Sequence, residues 1–508
     1  MTLDGLPVHV SRPNGSVIKG YPLGSRLVEE AFGSTFDYVL HNHLRFVVLY
    51  NSDEASAGMR RIVGFKVRPM SIAHNSKNSN CSNQIKNSRD TLFRLNSDVS
   101  NKSQATIPVT YSYEVFYERS TLPWTDRWDV YLLGNQDDSF AHHMSLINSF
   151  MVIIFLATCT AIILIRALKK DLHVYNELSL EDPEEEIESV GWKMVHGDVF
   201  RPPSTSPIAL SVLVGTGIQI AVTVGLTLLL SFTRFLNPSM KGQALTNIVL
   251  LYVFSGAVSG YISSRIFKFF GGKNWKLCTL STALFFPGVI MTLFLILNIF
   301  LAFYGSAKTV SFFTIVVIFL LWICVASPLV FIGSFIGFKR EVISTPTKTN
   351  QIARVIPSTK HLLGHRLSSF VVGALPFSCA SIEIYFLMSA IWMSQYYYLM
   401  GYLLAITISI GITSALISMI ITYMRLVNED HRWWWKSFWD TGSTGIWLFL
   451  YSVWYLCFRL NLSGILPIIV YLTYMCMISL ALGLYTGGVS FLAVFWFNRT
   501  IYAAVKID

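Results

Sequence analysis

Nine apolar runs, each near or above the ~20 residues that a helix needs to cross a ~30 Å hydrocarbon core, follow one another from residue 147 to the C-terminus. The spans expected are about 147–168, 209–233, 244–267, 279–303, 310–338, 367–392, 396–424, 442–458 and 464–497. The fifth and ninth are long enough to tilt or break, and the eighth is short. The ninth could be divided at Gly487-Gly488, but no polar loop interrupts it, so it reads as one helix. Composition agrees: 53% of the 508 residues are hydrophobic and 13% are charged, where a soluble domain carries about 25% charge.

Nine crossings put the two termini on opposite sides, and positive charge assigns the sides. Alternate loops and the tail hold twenty lysines and arginines, running from Arg166 and Lys169 through Arg265, Lys339, Arg340 and Arg425 to Arg499 and Lys506. The other loops hold four: Arg234, Lys241, Lys308 and Arg459. The rich side is expected in the cytosol. The formal net charge of +10 therefore flanks membrane segments and does not call for a nucleic-acid partner.

Residues 1–146 read as a β-rich segment, expected to be a β-sandwich or part of one, on the lumenal side. "HLRFVVLYN" (43–51) and "RIVGFKVRPMSI" (61–72) read as strands. Val109, Tyr111, Tyr113, Val115 and Tyr117 alternate along a third. Residues 74–104 are rich in Asn and Ser and read as a solvated loop. Asn14, Asn80 and Asn101 head sequons here, candidates for glycosylation on the lumenal side. Cys81 is the one cysteine of the segment, which leaves no disulfide framework. A segment on that side needs a leader, and the first residues show neither a basic n-region nor an apolar h-region; more sequence is expected upstream of Met1.

No Walker loop, dinucleotide fingerprint, GxSxG, HExxH or zinc spacing occurs, so no enzyme, cofactor or metal centre is expected. "VHGDVF" holds one His and one Asp about a glycine, too few for a ligand set; Trp192, Val195 and Phe200 are expected to pack this loop against the membrane face. Glu383 lies midway along the sixth run, where an ionisable group costs about 2.5 kcal/mol or more on insertion scales. It is a candidate proton relay or substrate contact, or else a hydrogen-bonded group that fixes packing, with Asn298 or a neighbouring Ser as partner. Trp433, Trp434, Trp435 and Trp439, beside Arg432 and Lys436, read as an interfacial anchor. Gly256-xxx-Gly260, Gly333-xxx-Gly337 and Gly483-xxx-Gly487 permit close helix approach, within the bundle or with the helices of other proteins.

Several long motifs occur in order: "FDYVLHNHLRFVVLYN", "GWKMVHGDVFRPP", "SGYISSRIFKFFGGKNWK", "LPFSCASIEIYFLMSAIW", "EDHRWWWKSFWDTGSTGIWLFLYS" and "FWFNRTIYAAVKID". With these the chain resembles the nonaspanin family, the transmembrane 9 superfamily. The resemblance implies a multi-pass membrane protein with a lumenal β domain behind a cleaved signal peptide and nine helices. It implies residence in Golgi and endosomal membranes, and sorting of other membrane proteins toward the surface through their transmembrane segments, with links to adhesion and phagocytosis. It also implies that the C-terminal Lys-x-Asp, here Lys506 and Asp508, binds the COPI coat as a retention signal. Without the resemblance, Lys506 could merely snorkel to the bilayer surface. With the last helix ending at Phe497, Lys506 would stand about nine residues past it on a tail that packs against nothing. The alternative function is a transporter or channel that uses Glu383.

Overall fold

A computed structural model describes residues 2–4, 6–11, 17–28, 36–52, 60–72, 94–95, 109–124, 127, single positions between 144 and 165, and 191–233. It further describes 241–306, 309–356, 365–392, 400–460, 462 and 464–504. Contacts divide the chain into two compact units, Met1–His143 and Met144–Asp508.

The first unit is built from strands. Ten are described: β1 (Thr2–Leu3), β2 (Leu6–Pro7), β3 (His9–Ser11), β4 (Val17–Lys19), β5 (Gly24–Val28), β6 (Phe36–Leu40), β7 (His43–Ser52), β8 (Arg60–Met70), β9 (Arg94–Leu95) and β10 (Ser112–Arg119). They form a five-stranded sheet in the order β10-β7-β8-β3-β4, a three-stranded sheet β5-β6-β9 and the pair β1-β2. The centre is the antiparallel β7–β8 pair, with a bulge at Leu49/Tyr50. Its apolar run is buried at Phe46, Val47, Val48, Leu49, Val63, Phe65 and Val67, and Phe46 stacks on Phe65 at 5.4 Å between centroids. Asn42 fastens one end of the sheet: its side chain donates to the Ile72 and Thr110 carbonyls and accepts from the Ile72 N–H.

The alternating strand takes an unexpected place. β10 runs parallel to β7 at the sheet edge, and Tyr113 and Tyr117 are 70% and 71% exposed. Of the Asn/Ser-rich stretch, Arg94–Leu95 pairs with β6 as a strand. The rest of that stretch, and Asn14, Asn80 and Asn101, lie outside the described residues.

His9 gives this unit a pH dependence. It is buried, 1% exposed, and lies opposite Lys66 in the β3–β8 pairing. Burial and then the Lys66 charge lower its pKa to about 4, against about 6.5 in an unfolded chain. Between those two values the unfolded chain binds a proton that the folded one does not. The contribution to stability is therefore whole above about pH 6.5 and is lost as pH falls toward 4. The sheet is expected to lose about 2 kcal/mol between pH 7 and pH 5, read as a lower melting midpoint of the β signal, and His9→Gln should flatten that slope. An equally steep slope in the variant would assign it to other groups.

The second unit is helical. After a single turn, α1 (Gly191–Met194), come α2 (Pro207–Phe232), α3 (Lys241–Phe269), α4 (Trp275–Phe303) and α5 (Phe312–Lys339). Then follow α6 (His365–Trp392), α7 (Met400–Val427), α8 (Trp434–Gly442), α9 (Thr444–Phe458) and α10 (Ile465–Ala504). Among the described residues seven helices are long and apolar enough to cross a membrane. The short eighth run is α9, 15 residues, continuing from α8 with only Ser443 between them. Of the first run the structure describes single positions, Ile154, Phe155 and Thr158 among them, and these are helical. The chain is thus a polytopic helical membrane protein preceded by a sheet-containing segment. Phe303, Phe312 and Phe313 are about four-fifths exposed, as suits side chains whose solvent is lipid.

The long fifth run does break its regularity. Trp322–Ala326 forms a π turn directly before Ser327-Pro328, where proline removes a helix hydrogen bond. The ninth run stays one helix of 40 residues, about 60 Å at 1.5 Å per residue. Gly488 does not break it: its Cα lies against Gly217 of α2, where an added Cβ would stand 3.1 Å away.

The glycine motifs are consumed inside the bundle. Gly256-xxx-Gly260 of α3 meets Gly333-xxx-Gly337 of α5. A Cβ added at Gly260 would lie 2.1 Å from the Val330 carbonyl oxygen, and one at Gly333 would lie 1.9 Å from that of Ala257. Gly483 and Gly487 face Gly442 and Phe438 of α8 in the same manner. Polar side chains stitch neighbouring helices: Gln219 donates to the Tyr252 carbonyl at 3.0 Å, and Thr223 pairs with Ser255 at 2.8 Å.

Candidate functional site

Residues 191–206, the segment 344–356, the α7–α8 connection and the last turns of α10 meet at one end of the bundle. Polar side chains gather there because the helices end there. Asp198, 2% exposed, accepts from the Arg201 Nε at 2.9 Å and from the backbone N–H of Arg354 at 3.0 Å. Burial would raise its pKa, but the Arg354 N–H and the Arg201 guanidinium outweigh it and hold the carboxyl below its ordinary range. The segment 344–356 is laid along this turn. Thr347 donates to the His196 carbonyl at 2.8 Å, the Asn350 N–H to the Gly197 carbonyl at 3.0 Å, and Arg201 to the Asn350 carbonyl at 2.7 Å. The "HGD" motif is therefore a structural turn. His196 turns its Nδ1 to the Lys193 carbonyl, and Trp192, Val195 and Phe200 pack inward, 2%, 0% and 3% exposed.

Two of the tryptophan triplet are buried in the bundle rather than turned outward as an interfacial anchor would be. Trp433 and Trp434 are 0% and 4% exposed and stack at 3.8 Å. The three indole N–H groups donate in turn to the carbonyls of Val199, Arg201 and Thr205, at 2.9, 2.8 and 2.8 Å. Three consecutive indoles at a helix start thus reach carbonyls spread over residues 199–205, and together they act as a clasp. At about 1 kcal/mol net for each bond, the clasp fastens residues 199–205 to the bundle. Trp435 is partly exposed, and Trp439 is 48% exposed. Beside the clasp, Asp430 accepts from Lys436 and from the Arg432 N–H. Burial would raise the Asp430 pKa, but Lys436 holds it below the ordinary range. Burial lowers His431, against the pull of Asp198 and Asp430.

The last turns of α10 belong to the same assembly. Ile501 and Tyr502 are buried, 9% and 2% exposed. The Tyr502 hydroxyl donates to the Trp192 carbonyl at 2.7 Å and its ring meets Trp192 and Phe200 edge-on. This corrects the expected helix end at Phe497. The helix runs on to Ala504 because packing of residues 501 and 502 outweighs the polarity of Asn498-Arg499-Thr500. Lys506 and Asp508 lie outside the described residues, but the chain reaches them from an anchored helix end.

Glu383 is buried, 2% exposed, in α6. It lines a cavity of about 20 Å³ with Phe150, Cys379, Ile406, Ser409 and Thr413, room for about one water molecule. Asn298, the partner considered for it, is engaged elsewhere: its amide holds both backbone groups of Val310.

One buried group was missed by sequence reasoning. Asp440 of α8, 0% exposed, takes a two-pronged contact from Arg425 of α7 and a hydrogen bond from Ser369 of α6 at 2.6 Å. Arg425 counted only as a loop cation and Asp440 only as a neighbour of tryptophans. The usable signal was the small polar run Asp440-Thr441-Gly442-Ser443-Thr444, flanked by apolar residues on both sides. Among the described residues no cluster of metal-ligating side chains occurs.

Comparison with known proteins bears on what this assembly serves. The family model described as Endomembrane protein 70 matches residues 1–465. Transmembrane 9 superfamily member 10 of Arabidopsis thaliana is 37% identical over all of this chain and 80% of its own length. Transmembrane 9 superfamily member 2 of Homo sapiens is 34% identical over 96% of this chain and 72% of its own. No solved structure matches the chain.

Proposed function

Because this chain belongs to the Endomembrane protein 70 family, the transmembrane 9 superfamily, and is thus a membrane protein of the endomembrane system, we propose that it sorts other membrane proteins without catalysing a reaction. In this reading it resides in Golgi and endosomal membranes, with the first unit lumenal, bearing glycans at Asn14, Asn80 and Asn101, and the C-terminus cytosolic. The twenty-to-four asymmetry of loop cations supports that orientation. Lys506 and Asp508 then present an ammonium and a carboxylate to the COPI coat. The observation that carries the proposal is the anchoring of α10 through Tyr502, which sets the base of this short tail on a rigid platform. A floppy tail would lose more entropy on capture by a coat.

The glycine faces are occupied within the bundle, so clients would have to be met on exposed apolar flanks such as that of α4. Among the described residues Glu383 lines a cavity of about 20 Å³, a size that suits a packed polar group with a water better than a transport path.

Lys506→Ser, Asp508→Ala, or a few residues added after Asp508 are each expected to weaken coat capture and move the protein from Golgi to later compartments, with its melting midpoint unchanged. Fluorescence localisation of the full chain reads this directly. Retention of all three variants in the Golgi would move the signal into the helices and overturn the reading.

A further inference from the structure

α3, α5 and α10 end together, and their last turns enclose an open cleft of about 1140 Å³. Its inner wall is apolar, from Tyr261, Ile266, Phe335, Leu492 and Phe495, and its rim carries Arg265, Lys339, Arg340 and Arg499 against the single carboxylate of Glu341. Helix C-termini are themselves partly negative, and cations often serve only to neutralise them. Here that task falls to Lys268, which donates to the Phe338 carbonyl at 2.7 Å and also to that of Arg340, and to one rim cation, Arg265, which donates to that of Glu341. Lys339, Arg340 and Arg499 remain exposed. The ion pairs of the described bundle residues involve other cations, and Arg499 makes only a 3.4 Å contact to the Ser344 hydroxyl.

Two features select the occupant. Three exposed cations about one cleft match a headgroup with more than one phosphate charge better than a single carboxylate. The wall below them is apolar, and Phe335 and Ile336, 63% and 47% exposed, open it sideways toward the bilayer, which a soluble anion would not require. We propose that this cleft binds a phosphoinositide, its phosphates held by Lys339, Arg340 and Arg499 and an acyl chain lying along Phe335 and Leu492. Basic pockets between helices on the cytosolic side are suited to such headgroups. The proposal rests on the cytosolic orientation of this end, since these lipids face the cytosol. Because Arg499 is on α10, the bound lipid would also brace the helix that carries the tail.

The test is binding to the full chain purified in detergent, which is indifferent to orientation in the cell. The probes are phosphatidylinositol 4-phosphate, phosphatidylserine, and the soluble headgroup inositol phosphate. The phosphoinositide is expected to bind, and Arg340→Gln with Arg499→Gln to weaken it about thirty-fold. Lys273→Gln, on a separate cleft of the same face, should leave it unchanged. Arg340→Lys with Arg499→Lys should retain most of the affinity, and gel filtration checks that each variant is folded. Equal affinity for the soluble headgroup would make this a soluble-anion site and overturn the lipid. Equal affinity for phosphatidylserine, or binding indifferent to the double Gln variant, would overturn the phosphoinositide assignment. Sidedness is tested separately by glycan and protease accessibility in cells, so a misplaced orientation is told apart from a failed site.

Discussion

Asp440→Ala is expected to destabilise the bundle by about 3–5 kcal/mol, enough to prevent accumulation of folded protein. Asp440 is 0% exposed and Arg425 15%, so removing the carboxylate strands a guanidinium in the interior and takes away the acceptor of Ser369. The pair joins α6, α7 and α8 at one point. The cost belongs to the orphaned charge rather than to the pair as such. Arg425→Met with Asp440→Leu, similar in volume and uncharged, should therefore recover much of the loss. Unfolding of a protein this size is commonly irreversible, so the comparison is of melting midpoints in one detergent at one heating rate. A single variant within about 1 kcal/mol of the parent, or a double variant worse than Asp440→Ala, would show that the pair is not what holds these helices.

Gly333→Leu is expected to be the second most damaging change, at about 3 kcal/mol or above, the upper end for an overpacked site. The added Cβ would stand 1.9 Å from the Ala257 carbonyl oxygen. That obstacle is backbone, so no rotamer change relieves it, and α3 and α5 must move apart. Moving them also opens the neighbouring approach of Gly260 to Val330. Gly225→Ala is the control: it lies within α2, its Cβ would meet nothing within 4 Å, and it should be neutral or stabilise by up to about 1 kcal/mol. If Gly333→Leu melts with the parent, the α3–α5 contact is looser than its geometry requires.

The tail and the two buried features differ in how they could be read from sequence. Lys506-Ile507-Asp508 is a local pattern, and the role proposed for it was legible without any tertiary contact. The glycine spacing is also local, and close packing followed from it, but not the partner. The choice between an internal and an external partner was made by the register of α3 against α5. The tryptophans misled because indoles beside cations at the end of an apolar run are the signature of a headgroup anchor. The same indoles can also donate to carbonyls of a remote segment, and no local property separates the two uses.

By itself the sequence determined what depends on length, period and charge. Runs of about 20 apolar residues must be helices in a membrane, alternating residues in the first unit make strands, and the uneven lysines and arginines give the expected orientation. The tertiary structure alone decided where polar groups found their partners. Trp433 donates to a carbonyl 234 positions away, Tyr502 to one 310 positions away, and Asp440 is satisfied from two other helices. A buried polar group must be paired, but its own sequence neighbourhood says only that a partner is needed. The fold supplies it, because packing of the apolar faces sets which remote backbone arrives within 3 Å.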